Sequence, residues 1–573
     1  MDNEMSIRQF LPADLRAAVD KEVAGWTADH KVDRLWKKDS SLWTGDGEEK
    51  WLGWLDIVER GQKQGAEHAA LAGDVRAAGF KHALLLGMGG SSLCPEVLAV
   101  TFGRQHGFPT LHIVDSTDPE QVKDTHDRVD LSQTLVLVAS KSGSTLEPNV
   151  LKQYFFEEMK KAIGPARAGS HFIAITDPGS KMEQVAKQDQ FRHIFYGDPQ
   201  IGGRFSALSN FGVVPAAVIG LDTGKMLTEA ARAVAAAKIA PAENPAIKLG
   251  LLLGCAAHAG RDKITIFTSP EIHDLGAWLE QLIAESTGKL GKGITPVDRE
   301  APGVPEVYGN DRVFAYIRLK NTADSSLDAL VAALEAAGHP VVRIEISDLY
   351  EIFGQFFTWE IATAVAGAVM GINPFNQPDV ESAKLEARAL TTAYEATGKL
   401  PQSEPFLRDA GVSLYAAESY ATTLQAAAPA RNLAGLLRAH LDQLHPGDYF
   451  ATLAYLPMFP QHEAAIQAFR GKVRDARRVA TCLGFGPRFL HSTGQDYKGG
   501  PNSGVFLQIT ADHAADLAIP GQKYSFGVVI DAQAAGDLAV LQARGRRALR
   551  VHLGADVAGG LQTLAAAIDA ALA

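Results

Sequence analysis

The chain has 573 residues, 46% of them hydrophobic and 21% charged, an ordinary globular composition that excludes a disordered or fibrous architecture. At about 150 residues per domain, that length predicts three or four units. A formal charge of -11 argues against a nucleic-acid or anionic-membrane partner, and three scattered cysteines, Cys94, Cys255 and Cys482, fit a reducing compartment without disulfides.

The opening "MDNEMSIRQF" lacks a basic and apolar signal pattern, and no segment reads as a membrane-spanning helix free of charges and turns, so the expected location is the cytoplasm. Residues 1–75 carry tryptophans at helical spacing, as in "EEKWLGWLDIVERG", and predict a helical segment in which Trp51 and Trp54 are packing anchors. Over residues 76–227 the runs "HALLLG", "TLHIVDS", "TLVLVAS", "HFIAITD" and "HIFYGD" alternate with helical stretches. This alternation predicts a doubly wound parallel sheet with its ligands at the carboxyl ends of the strands. It resumes over residues 228–400 with "KITIFTSP", "RVFAYIRL" and "PVVRIEIS", although these runs are too generic to establish a repeat. Residues 401–573 change to helix interrupted by Pro and Gly, then to "FGPRFLHSTGQDYKGGPNSG" and the strand-like "GVFLQIT" and "ALRVHLG", a mixed C-terminal extension.

Two glycine- or serine-rich turns leave predicted strands. In "SKSGSTLE" the hydroxyls of Ser140, Ser142, Ser144 and Thr145 can donate to a phosphate, Gly143 permits close backbone approach, and the next helix offers free amides. A capping box ending at Glu147 accounts for the same residues equally well. "LLLGMGGSSLCPE" resembles a dinucleotide fingerprint, but Ser92 stands where its third glycine belongs; Asp115, ending the next strand, keeps a ribose-binding role open. Arg204 in "GGRFS" suits stabilisation of an anionic intermediate, and Glu285 in "AESTGK" ends a helix where a carboxylate can enter a cleft. In "NPFNQPDVESAK", Gln377 and Lys384 lie about two helical turns apart. His491 in "FLHSTGQ" stands in a polar turn, and no grouping of His and Cys supports a metal centre. Taken singly, each of these residues has a structural explanation.

In their order and spacing, "GMGGSS", "SKSGSTLE", "GGRFS", "ESTGK" and "NPFNQPDVESAK" resemble phosphoglucose isomerase over residues 75–390. "RLWKKDSSLW" and "FLHSTGQDYKGGPNSG" are similar to the isomerase half of bacterial fusions of transaldolase with phosphoglucose isomerase. The resemblance implies an α/β fold with two sugar-isomerase domains, each a five-stranded parallel sheet flanked by helices, and a site between them and across a homodimer. It implies reversible isomerisation of glucose 6-phosphate and fructose 6-phosphate through a cis-enediol, with no cofactor. By the same resemblance Ser91, Ser140, Lys141, Ser142 and Thr145 hold the phosphate, and Glu285 is the base. Arg204 stabilises the enediol, and Gln377 and Lys384 contact the sugar, the lysine assisting ring opening. The family's ring-opening histidine precedes that lysine, whereas "LHSTGQ" follows it; His491 therefore takes the role from a different chain position, with His273 in reserve. Alternatives are a non-catalytic sugar-phosphate sensor, an isomerase of another phosphosugar such as mannose 6-phosphate, and a nicotinamide-dependent dehydrogenase.

Overall fold

The computed structural model describes residues 6–322, 324–401 and 403–573. It contains three sheets. The first runs in the order Thr110–Val114, His82–Leu86, Thr134–Ala139, Phe172–Thr176, His193–Tyr196, all parallel. Its central strands are buried at nearly every position, which is why they read as continuous apolar runs rather than alternating ones.

The second sheet runs Ser6–Phe10, Val341–Ile346, Arg312–Leu319, Lys263–Thr268, Thr295–Val297. Four of its strands are parallel, and the fifth comes antiparallel from the N-terminal segment. That segment is thus not wholly helical: it opens with an edge strand. The tryptophans pack as anchors: Trp54 is buried against Phe205 and Phe375, and Trp51 is partly buried against the same core.

The C-terminal residues build a third α/β unit. Its sheet runs Leu407–Asp409, Val412–Tyr415, Arg547–His552, Gly504–Thr510, Tyr449–Tyr455, Ala480–Phe485, the last four parallel. Counted along the chain within each unit, the parallel strands of all three sheets share the order 2-1-3-4, extended by a fifth parallel strand in the first. In this winding the switch point lies between strands 1 and 3. In the first sheet those are His82–Leu86 and Thr134–Ala139, whose exits are the two turns singled out in the sequence.

One apolar core joins the N-terminal helices, one face of the first sheet and the second unit. The third unit has its own core but lends Ile519, Phe526 and Val529 to the other face of the first sheet. Two helical segments, Leu349–Met370 and Phe526–Ala543, are long and apolar enough to cross a membrane, yet 89% and 67% of their windows are buried inside the fold.

Candidate active site

The glycine-rich turn after His82–Leu86 is spent on packing. Gly89 has φ +54°, and a Cβ there would lie 2.6 Å from Gln281 Nε2 and 2.8 Å from His491 O. A Cβ on Gly90 would lie 1.9 Å from Gly203 O. These glycines let the turn press on the backbone that carries Arg204 and His491, so they do not form a pyrophosphate cradle. Asp115 is also engaged, by Arg488 and by Ser92 Oγ at 3.1 Å. Neither feature serves the dinucleotide reading.

Arg204, in the short 3-10 helix Gly203–Phe205, is buried. Its Nε donates to Ser286 Oγ at 2.7 Å, Nη1 to Gln377 Oε1 at 3.0 Å, and Nη2 to Pro374 O at 2.6 Å and Asn376 O at 3.0 Å. Of five guanidinium hydrogens, one on Nη1 stays uncommitted. Glu285 Oε1 lies 3.6 Å from that nitrogen. Burial pulls the guanidinium pKa below its ordinary value, and the Glu285 charge opposes that shift.

Glu285 sits on the last turn of Leu275–Thr287, the helix that returns from one strand of the second sheet to the start of the next. It is buried, and its Oε2 accepts from Gln281 Nε2 at 3.0 Å, one turn earlier. The same Gln281 nitrogen donates to His491 O at 2.8 Å. Carboxylate and histidine backbone therefore share one amide. His491 Nε2 lies 3.0 Å from Glu147 Oε1, which also accepts from Gln533 Nε2 at 2.7 Å. Thr117 Oγ1 in turn donates to Gln533 Oε1 at 2.7 Å.

Glu147 overturns the capping-box reading: Thr145 is the N-cap of Leu146–Ile163 without a side-chain cap, and Glu147 is buried and turned to His491. In the serine-rich turn, Ser140 is buried and its hydroxyl has no hydrogen-bond partner among the described residues. Ser142 and Ser144 are exposed and hydrogen-bonded to each other at 2.7 Å. Lys141 departs from the expected phosphate grip, since its Nζ donates to Asp177 Oδ2 at 2.7 Å and Asp198 O at 2.9 Å and so braces neighbouring strand ends. Ser91 and Thr145 are half-buried in the two turns.

Gln377 precedes the helix Pro378–Thr397 without a side-chain cap, and its Oε1 accepts from Arg204 Nη1. Lys384 falls on that helix, but its side chain lies outside the described residues. His273 is exposed, with Nδ1 2.8 Å from Pro270 O. It precedes the helix whose far end carries Glu285, about 15 Å along the axis at 1.5 Å per residue. Of the two histidines, His491 is the one whose backbone carbonyl is tied through Gln281 to Glu285.

Sequence reasoning missed Gln281, Lys289, Arg488 and Gln533. Lys289 is buried behind Arg204 and donates to Ser286 O at 2.9 Å and Asn373 O at 2.7 Å. Burial, then the Arg204 charge, holds its pKa well below the ordinary lysine value. The spacing Gln281 to Glu285, one helical turn, was the available signal for the first; the others follow only from tertiary packing.

The phosphoglucose isomerase family model matches residues 66–304. A glucose-6-phosphate isomerase of Rubrobacter xylanophilus is 31% identical over 381 residues, covering 58% of this chain and 84% of the relative. One from Synechococcus sp. (strain JA-2-3B'a(2-13)) is 29% identical over 379 residues, with 56% and 69% covered. Among solved structures, hypothetical protein TT0462 from Thermus thermophilus aligns with a TM-score of 0.58 at 24% identity, over 67% of this chain and 99% of that one, a likeness of fold. On its motifs, its fold and this relatedness, the chain belongs to the phosphoglucose isomerase family.

Proposed function

We propose that the chain interconverts glucose 6-phosphate and fructose 6-phosphate by ring opening and proton transfer through a cis-enediol. The observation that carries this reading is the cluster in which Glu285 faces the uncommitted Nη1 hydrogen of Arg204 and shares Gln281 with His491. In the forward direction His491 aids transfer of the ring proton as the sugar opens, with Glu147 orienting its imidazole. Glu285 takes the proton from C2, and electron density moves toward the C1 oxygen, where Arg204 meets the growing negative charge. A proton passes from the C2 hydroxyl to the C1 oxygen, and Glu285 returns its proton to C1, leaving the ketone at C2. The residue 140–145 turn takes the phosphate through its hydroxyls and the amides of the following helix. Lys384 and Gln377 are assigned to the sugar hydroxyls.

The proposed partners are the sugar phosphate and a second copy of the chain in a homodimer, in the cytoplasm; the net charge of -11 argues against nucleic acid.

The test is Glu285→Gln. A general base contributes about 10²–10⁴-fold, so a coupled assay should show kcat reduced by at least that much, while a phosphorylated sugar still binds in calorimetry. Near-normal turnover refutes the assignment. Binding without turnover in the wild-type chain would instead favour the sensor.

A further inference from the structure

His491 stands 206 residues after the base, so sequence does nothing to bring the two together; docking of the third unit does. That docking is concentrated around the histidine. Three residues earlier, Arg488 spreads its guanidinium over two carboxylates of the first unit. Nη1 donates to Glu96 Oε2 at 2.7 Å, Nη2 to Glu96 Oε1 at 2.8 Å and Asp115 Oδ1 at 3.0 Å, and Nε lies 2.8 Å from Asp115 Oδ2. Asp115 directly follows the strand Thr110–Val114, and Glu96 lies in the first turn of the helix Leu93–Phe102. The guanidinium thus grips the rim of the same sheet end that carries the glycine-rich and serine-rich turns.

On the other side of His491, Gln495 ties the second unit. Its Oε1 accepts from the backbone N–H of Asp379 at 3.0 Å and of Val380 at 3.2 Å, and its Nε2 donates to Gly288 O at 2.8 Å, three residues past the base. Asp496 Oδ2 accepts from Thr295 Oγ1 at 2.8 Å. The imidazole itself ends on Glu147 of the first unit, where Gln533, also from the third unit, meets the same oxygen.

Adhesion alone does not call for this chemistry. Apolar packing joins units without the desolvation cost of buried ions, whereas a forked, charge-assisted pair fixes an angle as well as a distance. A ring-opening imidazole needs that angle. We propose that the C-terminal unit supplies His491 in cis, seated by Arg488 as a positioning residue, so that a single chain holds the complete site even within a homodimer. The inference rests on the ring-opening role given to His491 above.

Two defective variants, His491→Asn and Glu285→Gln, are co-expressed with different tags, and doubly tagged hybrids are isolated. Delivery in cis predicts hybrids no more active than the parents, because neither chain carries both groups. Recovery of about a quarter to a half of the wild-type rate would overturn it. If no hybrid forms because the chain is monomeric, the activity of the wild-type monomer is itself the expected result. For Arg488, the readout is the primary isotope effect with glucose 6-phosphate deuterated at C2. Arg488→Lys keeps the charge but loses the fork, so kcat/KM should fall about 10- to 100-fold. The isotope effect should shrink toward unity, as in His491→Asn, because ring opening has become the slow step. An unchanged rate, or a lower rate with the full isotope effect, removes Arg488 from the role. Glu96→Gln, which retains Asp115, gives a milder version of the same result should Arg488→Lys fail to fold. If His491→Asn itself turns over normally with its full isotope effect, the reading of His491 falls and this inference falls with it.

Discussion

Replacing Gly90 by alanine tests whether the two glycine-bearing turns set the position of Arg204. The new methyl would stand 1.9 Å from Gly203 O, 2.3 Å from Gly203 C and 3.0 Å from Arg204 N. About 1.5 Å of separation has to open before ordinary contact is restored. Both neighbours are backbone, so no side chain can swing aside. The movement falls on the residue beside Arg204, whose four hydrogen bonds span 2.6 to 3.0 Å and tolerate little displacement. A misplacement of about 1 Å costs about 100-fold in rate, and overpacking of this kind costs about 1–3 kcal/mol of stability. The expected result in a coupled isomerase assay is therefore a kcat lowered about 100-fold with a smaller change in KM, alongside a depressed melting temperature. Gly203→Ala is the control, since a Cβ at that position meets nothing within 4 Å. The reasoning is refuted if Gly90→Ala turns over within about threefold of wild type, or if Gly203→Ala is the more damaging of the pair.

Arg204→Lys keeps the charge but presents three donors from a point, so it cannot satisfy Ser286, Gln377, Pro374 and Asn376 together. We expect kcat to fall by about 10²–10³ with KM for the sugar phosphate little changed, as measured by steady-state kinetics. Asp496 gives a pH-dependent stability. Burial raises its carboxyl from 3.8 to about 7, and its Oδ1 has no hydrogen-bond partner among the described residues. A raised folded pKa contributes stability that is fully present below the unfolded value and lost as pH rises through the folded one. The wild-type melting temperature should therefore fall between pH 4 and 7 relative to Asp496→Asn, which carries no such titration, and the two curves should run parallel above about pH 8. Curves parallel across the whole range would show that Asp496 does not titrate there.

The sheets were legible because strands buried on both faces leave uninterrupted runs such as Thr134–Ala139, and the exits of strands 1 and 3 carried the unusual turns. The rule that ligands gather at carboxyl ends points, in the first sheet, to the serine-rich turn proposed to take the phosphate. It misdirects attention in the second, where Glu285 lies at the end of a helix that has already run back past its strands. The third unit was legible only as a mixed extension, because its first two strands are short and run antiparallel to their neighbours. The side chains of Lys141 and Glu147 are engaged away from their motif for one reason: its local chemistry explains them, while their partners, Asp177 and His491, come from 36 and 344 residues away. Local pattern reports which residue types are present. It does not report which of them tertiary contact has already claimed.

The partners of Arg204 explain how a buried cation stays useful. A hydroxyl, a side-chain amide and two peptide carbonyls hold it, none of them charged. Carboxylates there would bind the guanidinium as firmly but would neutralise the potential it projects. Among the described residues, Glu285 at 3.6 Å is its one ion-pair partner, and in the mechanism proposed above that carboxylate loses its charge when it takes a proton from the sugar. In that mechanism, until the proton is returned, Arg204 would face the enediol oxygens without a competing anion. Lys289, held by two more carbonyls behind it, adds no counter-charge of its own. The cost of burying Arg204 against neutral acceptors is borne in the resting protein, and the attraction peaks only while negative charge sits on the substrate, which is the condition for lowering a barrier rather than merely tightening binding.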